Sequence, residues 1–129
     1  MSSTVSWNLQ MSVREDHLDD ARALMTDMVE ATLKEHGTQG FEWFLSGDGS
    51  ACHINERFTD SDAAVVHLGS FGANFAARFL ECFEPTSVSV YGEPSDETRG
   101  ALENRGPPRP PLFWGSLSEL LCRPDRDVI

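Results

Sequence analysis

Asp48 and Gly49 stand between two strand-like runs, Phe41-Glu42-Trp43-Phe44-Leu45 and Ala51-Cys52-His53-Ile54-Asn55-Glu56-Arg57-Phe58, which commits the middle of the chain to an antiparallel hairpin. An Asp-Gly pair between alternating runs is a strong short-range hairpin signal, because both residues tolerate the positive backbone angles of a tight turn. With these two residues at the centre, Trp43 faces Ile54, Phe41 faces Glu56, Phe44 faces His53 and Glu42 faces Asn55. A longer loop would shift that pairing. Cys52, Ile54, Glu56 and Phe58 share one face of the second strand, so a carboxylate stands inside an apolar series and needs a partner or a ligand.

Strand and helix alternate around the hairpin. Trp7, Leu9, Met11 and Val13 alternate with polar residues and predict a strand over residues 4–13. From Asp16 to His36 the apolar residues Leu18, Ala21, Met25, Met28, Val29 and Leu33 follow helical spacing, and Gly37 suits a left-handed helix end. A second helical stretch begins at Asp60, capped by Thr59 or Asp60, and runs to Phe83 with a break expected at Gly69-Ser70 and Gly72. Pro85 stops it, Ser87 to Tyr91 alternates as a fourth strand, and residues 95–104 predict a short further helix.

The order strand, helix, strand, strand, helix, strand is the ferredoxin-like βαββαβ arrangement of the α+β class, an antiparallel sheet with helices on one face. The chain reads as a single domain over residues 1–129, with 95–129 as a C-terminal extension of an extra helix and strand. Pro107-Pro108-Arg109-Pro110-Pro111 is a stiff spacer before Leu112-Phe113-Trp114 rather than a link to a second core. Apolar residues on both strand faces leave the second face of the sheet to be covered by another subunit, and a homodimer is expected.

Charge and composition narrow the function. A net charge of −11 argues against nucleic acid and against an anionic membrane surface, since no basic patch is available for phosphates. No apolar run approaches the roughly 20 residues of a membrane helix. Met1-Ser2-Ser3-Thr4-Val5 lacks the basic start and apolar stretch of a signal peptide, so a cytoplasmic protein is expected. Cys52, Cys82 and Cys122 are odd in number and widely spaced, which fits reduced thiols. No histidine pair has metal-ligand spacing, and Ser46-Gly47-Asp48-Gly49 precedes a strand rather than a phosphate-binding helix, so neither a metal nor a nucleotide site is expected. Glu56 and His67 are the residues to watch. They are either an acid/base pair or a structural pair that locks the second helix to the sheet.

The run Glu56-Arg57-Phe58-x-Asp60-x-Asp62-Ala63-x-x-x-His67 resembles the Glu-x-aromatic-x-Asp/Ser-x-x-Ala-x-x-x-His signature of the antibiotic biosynthesis monooxygenase-like proteins. Residues 5–93 follow that family's element order, and Tyr91-Gly92-Glu93-Pro94 with Gly106 and Phe113-Trp114 is similar to a subset with an additional helix and strand. The resemblance implies a dimeric α/β barrel with a pocket between sheet and helices in each subunit. It also implies oxidation of a small aromatic or polyketide-type substrate without metal or flavin, through a substrate carbanion that reduces oxygen. In that reading His67 is the base and Glu56 orients it, Trp43 and Phe75 line the box, and Asn8, His53 and Asn55 are hydrogen-bond donors. Haem degradation by the route of a related branch is disfavoured, because Gly72-Ala73-Asn74-Phe75-Ala76-Ala77-Arg78 has no histidine. A non-catalytic dimeric ligand-binding or stress-related protein, or an isomerase or cyclase with His67 as proton shuttle, are the alternatives.

Overall fold

The computed structural model describes residues 3–105 and 110–115. Its elements are β1 (Val5–Val13), α1 (Leu18–Thr32), β2 (Thr38–Leu45), β3 (Ala51–Phe58), α2 (Ser61–Asn74), α3 (Ala76–Cys82), β4 (Phe83–Tyr91), α4 (Asp96–Arg105) and β5 (Leu112–Trp114). The sheet order is β2-β3-β1-β4-β5, antiparallel except for β5, which runs parallel to β4. This is the ferredoxin-like α+β fold, with one added strand at its edge. Cys122 and the Pro107–Arg109 part of the proline run lie outside the described residues.

Hairpin pairing follows the Asp-Gly centre: Phe41 faces Glu56, Glu42 faces Asn55, Trp43 faces Ile54 and Phe44 faces His53. The loop itself is longer than two residues. Ser46 N donates to Ala51 O at 2.8 Å and Gly49 N to Ser46 O at 2.9 Å, with Gly49 at φ +75°. The loop is symmetric about Asp48 and Gly49, so the added residues leave the register unchanged. Asp48 Oδ1 accepts from the hydroxyls of Ser46 and Ser50 and from Ser50 N, which pulls its carboxyl down to about 2.

Period-2 alternation sorts the sheet into two unlike faces. On the helix-covered face, Val5, Trp7, Met11, Cys52, Ile54, Phe58, Val88 and Val90 are buried. The opposite face corrects the expectation of apolar residues on both sides, because the register there aligns Asn8 with Asn55 and Ser89, and Gln10 with His53 and Ser87. Phe44, Tyr91 and, on β5 opposite Ser89 and Tyr91, Leu112 and Trp114 are apolar exceptions, each about half exposed. Two contiguous packing clusters fill the inner side. One gathers Leu24, Met28, Ile54, Phe79 and Phe83 beneath α1 and α3, and the other gathers Trp7, Phe58, Leu68, Val88 and Leu102 beneath α2 and α4.

The helices differ from the sequence expectation at their ends. The long helical stretch breaks at Phe75, between α2 and α3, not at Gly69-Ser70 or Gly72. A glycine inside a helix costs only about 1 kcal/mol, and burial of Ala64, His67 and Leu68 holds α2 down on the sheet. Asp60 is the cap, its carboxylate accepting from Ala63 N at 2.9 Å. Phe83 belongs to β4, not to the helix, and Pro85 lies within that strand opposite Met11, where the β1–β4 register shifts. Gly37 has no positive φ. A Cβ there would run into the Ala63 side chain, so this glycine allows the start of β2 to press against the first turn of α2.

Inside and outside of the sheet predict different mutational costs. Phe58→Ala removes a ring that is 0% exposed and should lower the unfolding free energy by about 3–5 kcal/mol. Phe44→Ala, at 50% exposure, should stay within about 0.5 kcal/mol in the same urea titration of the isolated chain.

Candidate active site

Three elements converge on one imidazole. β3 points Glu56 inward because Glu56 shares the parity of Ile54 and Phe58. Position 67 lies two turns into α2, on the buried side with Ala64 and Leu68. His67 Nε2 is 2.9 Å from Glu56 Oε1, so the structure brings the two residues together. On the other side of the ring, Nδ1 is 2.8 Å from Glu35 Oε1. The Phe41 and Phe58 rings flank the imidazole at centroid distances of 5.4 and 5.1 Å.

Glu35 was not among the residues singled out from the sequence. It arrives because the chain tightens after α1, with Lys34 N donating to Ala31 O at 3.2 Å and Glu35 N to Thr32 O at 3.0 Å. The close approach of Gly37 to Ala63, and the 2.9 Å bond from Thr59 N to Gly37 O, then hold this turn against the start of α2. Thr38 Oγ1 donates to Glu35 Oε1 at 2.9 Å and fixes its orientation. One signal was available. A carboxylate just past the C-terminal end of a helix faces the negative end of the dipole, and α1 has no basic residue in its last turn, so Glu35 needs a cation from elsewhere.

A carboxylate only accepts, so an imidazole between two of them donates from both nitrogens and is an imidazolium. Burial alone would push the His67 pKa down, but the hydrogen bonds to Glu35 and Glu56 and their charges outweigh it and raise the group from 6.5 to about 9. Burial pushes Glu35 up, yet its bonds to His67 and Thr38 and the imidazolium charge leave it below the usual carboxylate range. Both ring nitrogens are taken, which leaves neither for a metal ion. Among the described residues no group of three or more His, Cys, Asp or Glu side chains is arranged to hold one.

Glu56 and His67 line a cavity of about 680 Å³ between the sheet and the helices, walled mainly by apolar side chains including Trp7, Leu9, Ile54, Phe71 and Phe79. That is within the roughly 300–1,000 Å³ of small-molecule sites. The aromatic lining differs from the expected one. Trp43 packs on Phe41 and Phe83, with its indole N–H buried and without a hydrogen-bond partner. Phe75 packs into the core at the α2–α3 junction. Neither contributes to the cavity wall, and Trp7, Phe71 and Phe79 take that place. Asn8, His53 and Asn55 lie on the opposite face, where Asn8 donates to Asn55 at 2.7 Å and accepts from Gln10 at 3.0 Å. Their odd parity relative to Glu56 and Trp7 sends them through the sheet, away from the cavity.

The sequence profile of antibiotic biosynthesis monooxygenases matches residues 4–82. This chain belongs to that family. Among solved structures, MupZ from Pseudomonas fluorescens is similar at 22% identity and TM-score 0.78, over 92% of this chain and 88% of MupZ. Rv0793 from Mycobacterium tuberculosis matches at 27% identity and TM-score 0.63, over 73% of this chain and 98% of its own. A further antibiotic biosynthesis monooxygenase matches at 15% identity and TM-score 0.57, covering 67% of this chain and 92% of that one. No curated protein matches the chain. Within this family fold, both Glu56 and His67 of the signature meet in the cavity wall. Among the described residues no helix is long and apolar enough to cross a membrane.

The Glu35–His67–Glu56 cluster sets a pH dependence. Because folding raises the His67 pKa from 6.5 to about 9, its contribution to stability is full below about 6.5 and is lost as pH rises through about 9. Urea denaturation between these limits should show stability falling with pH in the wild type and a flatter profile in His67→Gln. Glu35→Gln should move the imidazole titration, followed by NMR, to lower pH. Gly37→Ala should destabilise the fold, since its methyl group would collide with Ala63, and should also lower the pH at which His67 titrates by pushing Glu35 away.

Proposed function

We infer that this protein is a cofactor-independent monooxygenase that oxidises a small aromatic or polyketide-type phenol in the cavity between sheet and helices. The observation that carries this reading is a carboxylate, Glu56, oriented by a buried imidazolium on the wall of an otherwise largely apolar cavity. Glu56 commits Oε1 to His67; Oε2 is the atom a substrate hydroxyl meets. His67, protonated and held from both sides, serves as the positioning residue, and Glu56 is the base.

The chemistry balances on this arrangement. The cluster starts with a net charge of −1, two carboxylates against one imidazolium. Glu56 takes the substrate's acidic proton, which leaves the cluster neutral and moves the negative charge onto the aromatic ring. That electron-rich anion gives one electron to O2, and the resulting radical and superoxide combine to form a C–O bond. Loss of water from the hydroperoxide then leaves a carbonyl. One oxygen atom ends in the quinone and the other in water, whose hydrogens come from the substrate's O–H and C–H. The apolar walls exclude competing water and favour fused rings over polar ligands.

The protein acts as a homodimer in this reading, with a second copy covering the outer sheet face. The exposed apolar side chains Phe44, Tyr91, Leu112 and Trp114 on that face and the family fold support that cover. The decisive experiment measures oxygen uptake by chelator-treated protein with 1-naphthol and anthrone, with quinone formation followed in the same cuvette. One O2 should be consumed per quinone formed. Glu56→Gln keeps an acceptor for His67 but cannot take a proton, and should lower kcat by about 10²–10⁴-fold with little change in KM. Full kcat in Glu56→Gln removes the proposed base. Conversion of the compounds without oxygen uptake would favour the isomerase reading instead.

A further inference from the structure

The family profile ends at residue 82, but the cavity does not. Leu102 and Asn104, both on α4, form part of its wall. Leu102 is 6% exposed and packs in the same cluster as Trp7, Leu68 and Val88. Trp7 pairs with Glu56 across the β1–β3 ladder, and Leu68 follows His67 on α2. The α4 wall therefore stands at the end of the cavity that holds the acid/base cluster. Arg14, Leu80, Glu84 and Pro85 belong to the other end, beside the start of β4.

This wall is fastened at three places. Ser61 links α2 to the start of α4, its hydroxyl accepting from Ser95 N at 2.9 Å and its carbonyl from Thr98 Oγ1 at 3.4 Å. Thr98 is itself fully buried, and Ser95 Oγ accepts from its backbone N–H at 3.2 Å. The Arg99 guanidinium lies 4.3 Å from the centroid of the Phe113 ring on β5, a cation–π contact that couples helix to strand. β5 in turn is held by the parallel ladder to β4 and by Gly92 N donating to Trp114 O at 2.9 Å. Gly92 is at φ +102°, and a Cβ there would meet Thr4 O at 2.6 Å, so the crossing point between β4, β5 and the N-terminal strand requires glycine.

We propose that α4 is the specificity wall of the cavity: Leu102 sets how large a fused-ring phenol can reach Glu56, and Asn104 at the rim supplies a hydrogen-bonding amide to a substituent on its far edge. This rests on the assignment of the cavity as the substrate site. A side chain that is rigidly backed discriminates by size, because its neighbours do not move aside to admit a larger ligand. Asn104 is exposed, so changing it alters the rim without disturbing the core.

The test is calorimetric binding of 1-naphthol (two rings) and anthrone (three rings) under nitrogen, with oxygen uptake measured separately. Leu102→Ala should shift the affinity ratio toward anthrone by about tenfold, and Asn104→Phe should shift it toward 1-naphthol by a similar factor. Asn104→Phe guards against the chance that the buried substitution weakens the fold. An unchanged ratio in both variants, with wild-type oxygen uptake intact, overturns the wall and leaves the oxygenase reading standing. A shifted ratio with no oxygen uptake in any variant supports the wall and removes the oxygenase. A wild-type protein that binds neither compound overturns both.

Discussion

The imidazolium of His67, held at 2.9 and 2.8 Å between Glu56 and Glu35, is the contact on which the helix layer and the cavity both depend. Its three members come from β3, α2 and the turn after α1, so one hydrogen-bonded cluster joins the sheet to both halves of the layer above it. Burying a charge costs several kcal/mol unless it is paired. Here one cation between two carboxylates leaves each member satisfied by another; loss of His67 would leave two carboxylates without their shared cation, and loss of either carboxylate would leave one imidazole N–H without its acceptor. The same pairing keeps ionised groups in the wall of a space otherwise lined mainly by apolar side chains. The polar centre of the site and the clasp of the fold are one structure.

Around that clasp, the sheet divides the molecule by parity. Residues aligned with Trp7 and Glu56 pack under the helices, and their neighbours Asn8 and Asn55 form a hydrogen-bonded polar row on the other side. The extension completes the inner side. α4 brings Leu102 onto the cavity next to the cluster, and β5 gives that helix a partner at the edge of the sheet. A common family frame thus supplies the Glu35–His67–Glu56 cluster, and a segment outside the profile supplies part of the enclosure.

Much of the fold was legible locally. The hairpin pairing followed from Asp48-Gly49, because a loop symmetric about those residues gives the same register whether it has two residues or four. Parity along β3 was enough to turn Glu56 inward, and helical spacing from Asp60 was enough to turn His67 onto the buried side of α2. Glu35 was harder, since it lies 32 residues from His67 and reads as one more acidic residue at a helix end. Gly37 was read for its backbone freedom, when its role is the absence of a Cβ against Ala63. The family resemblance puts Phe75 and Trp43 in the substrate box, and packing places them elsewhere.

Strand and helix order, the hairpin register and the inward direction of Glu56 and His67 follow from local periodicity and turn chemistry, and are legible in the residues alone. That a second carboxylate completes the cluster, that His67 is therefore an imidazolium, and that α4 closes one end of the cavity emerge only in the folded molecule. These depend on which distant segments approach one another. That approach is set by close packing at contacts such as Gly37 against Ala63 and Leu102 against Trp7 and Leu68, which no local pattern encodes.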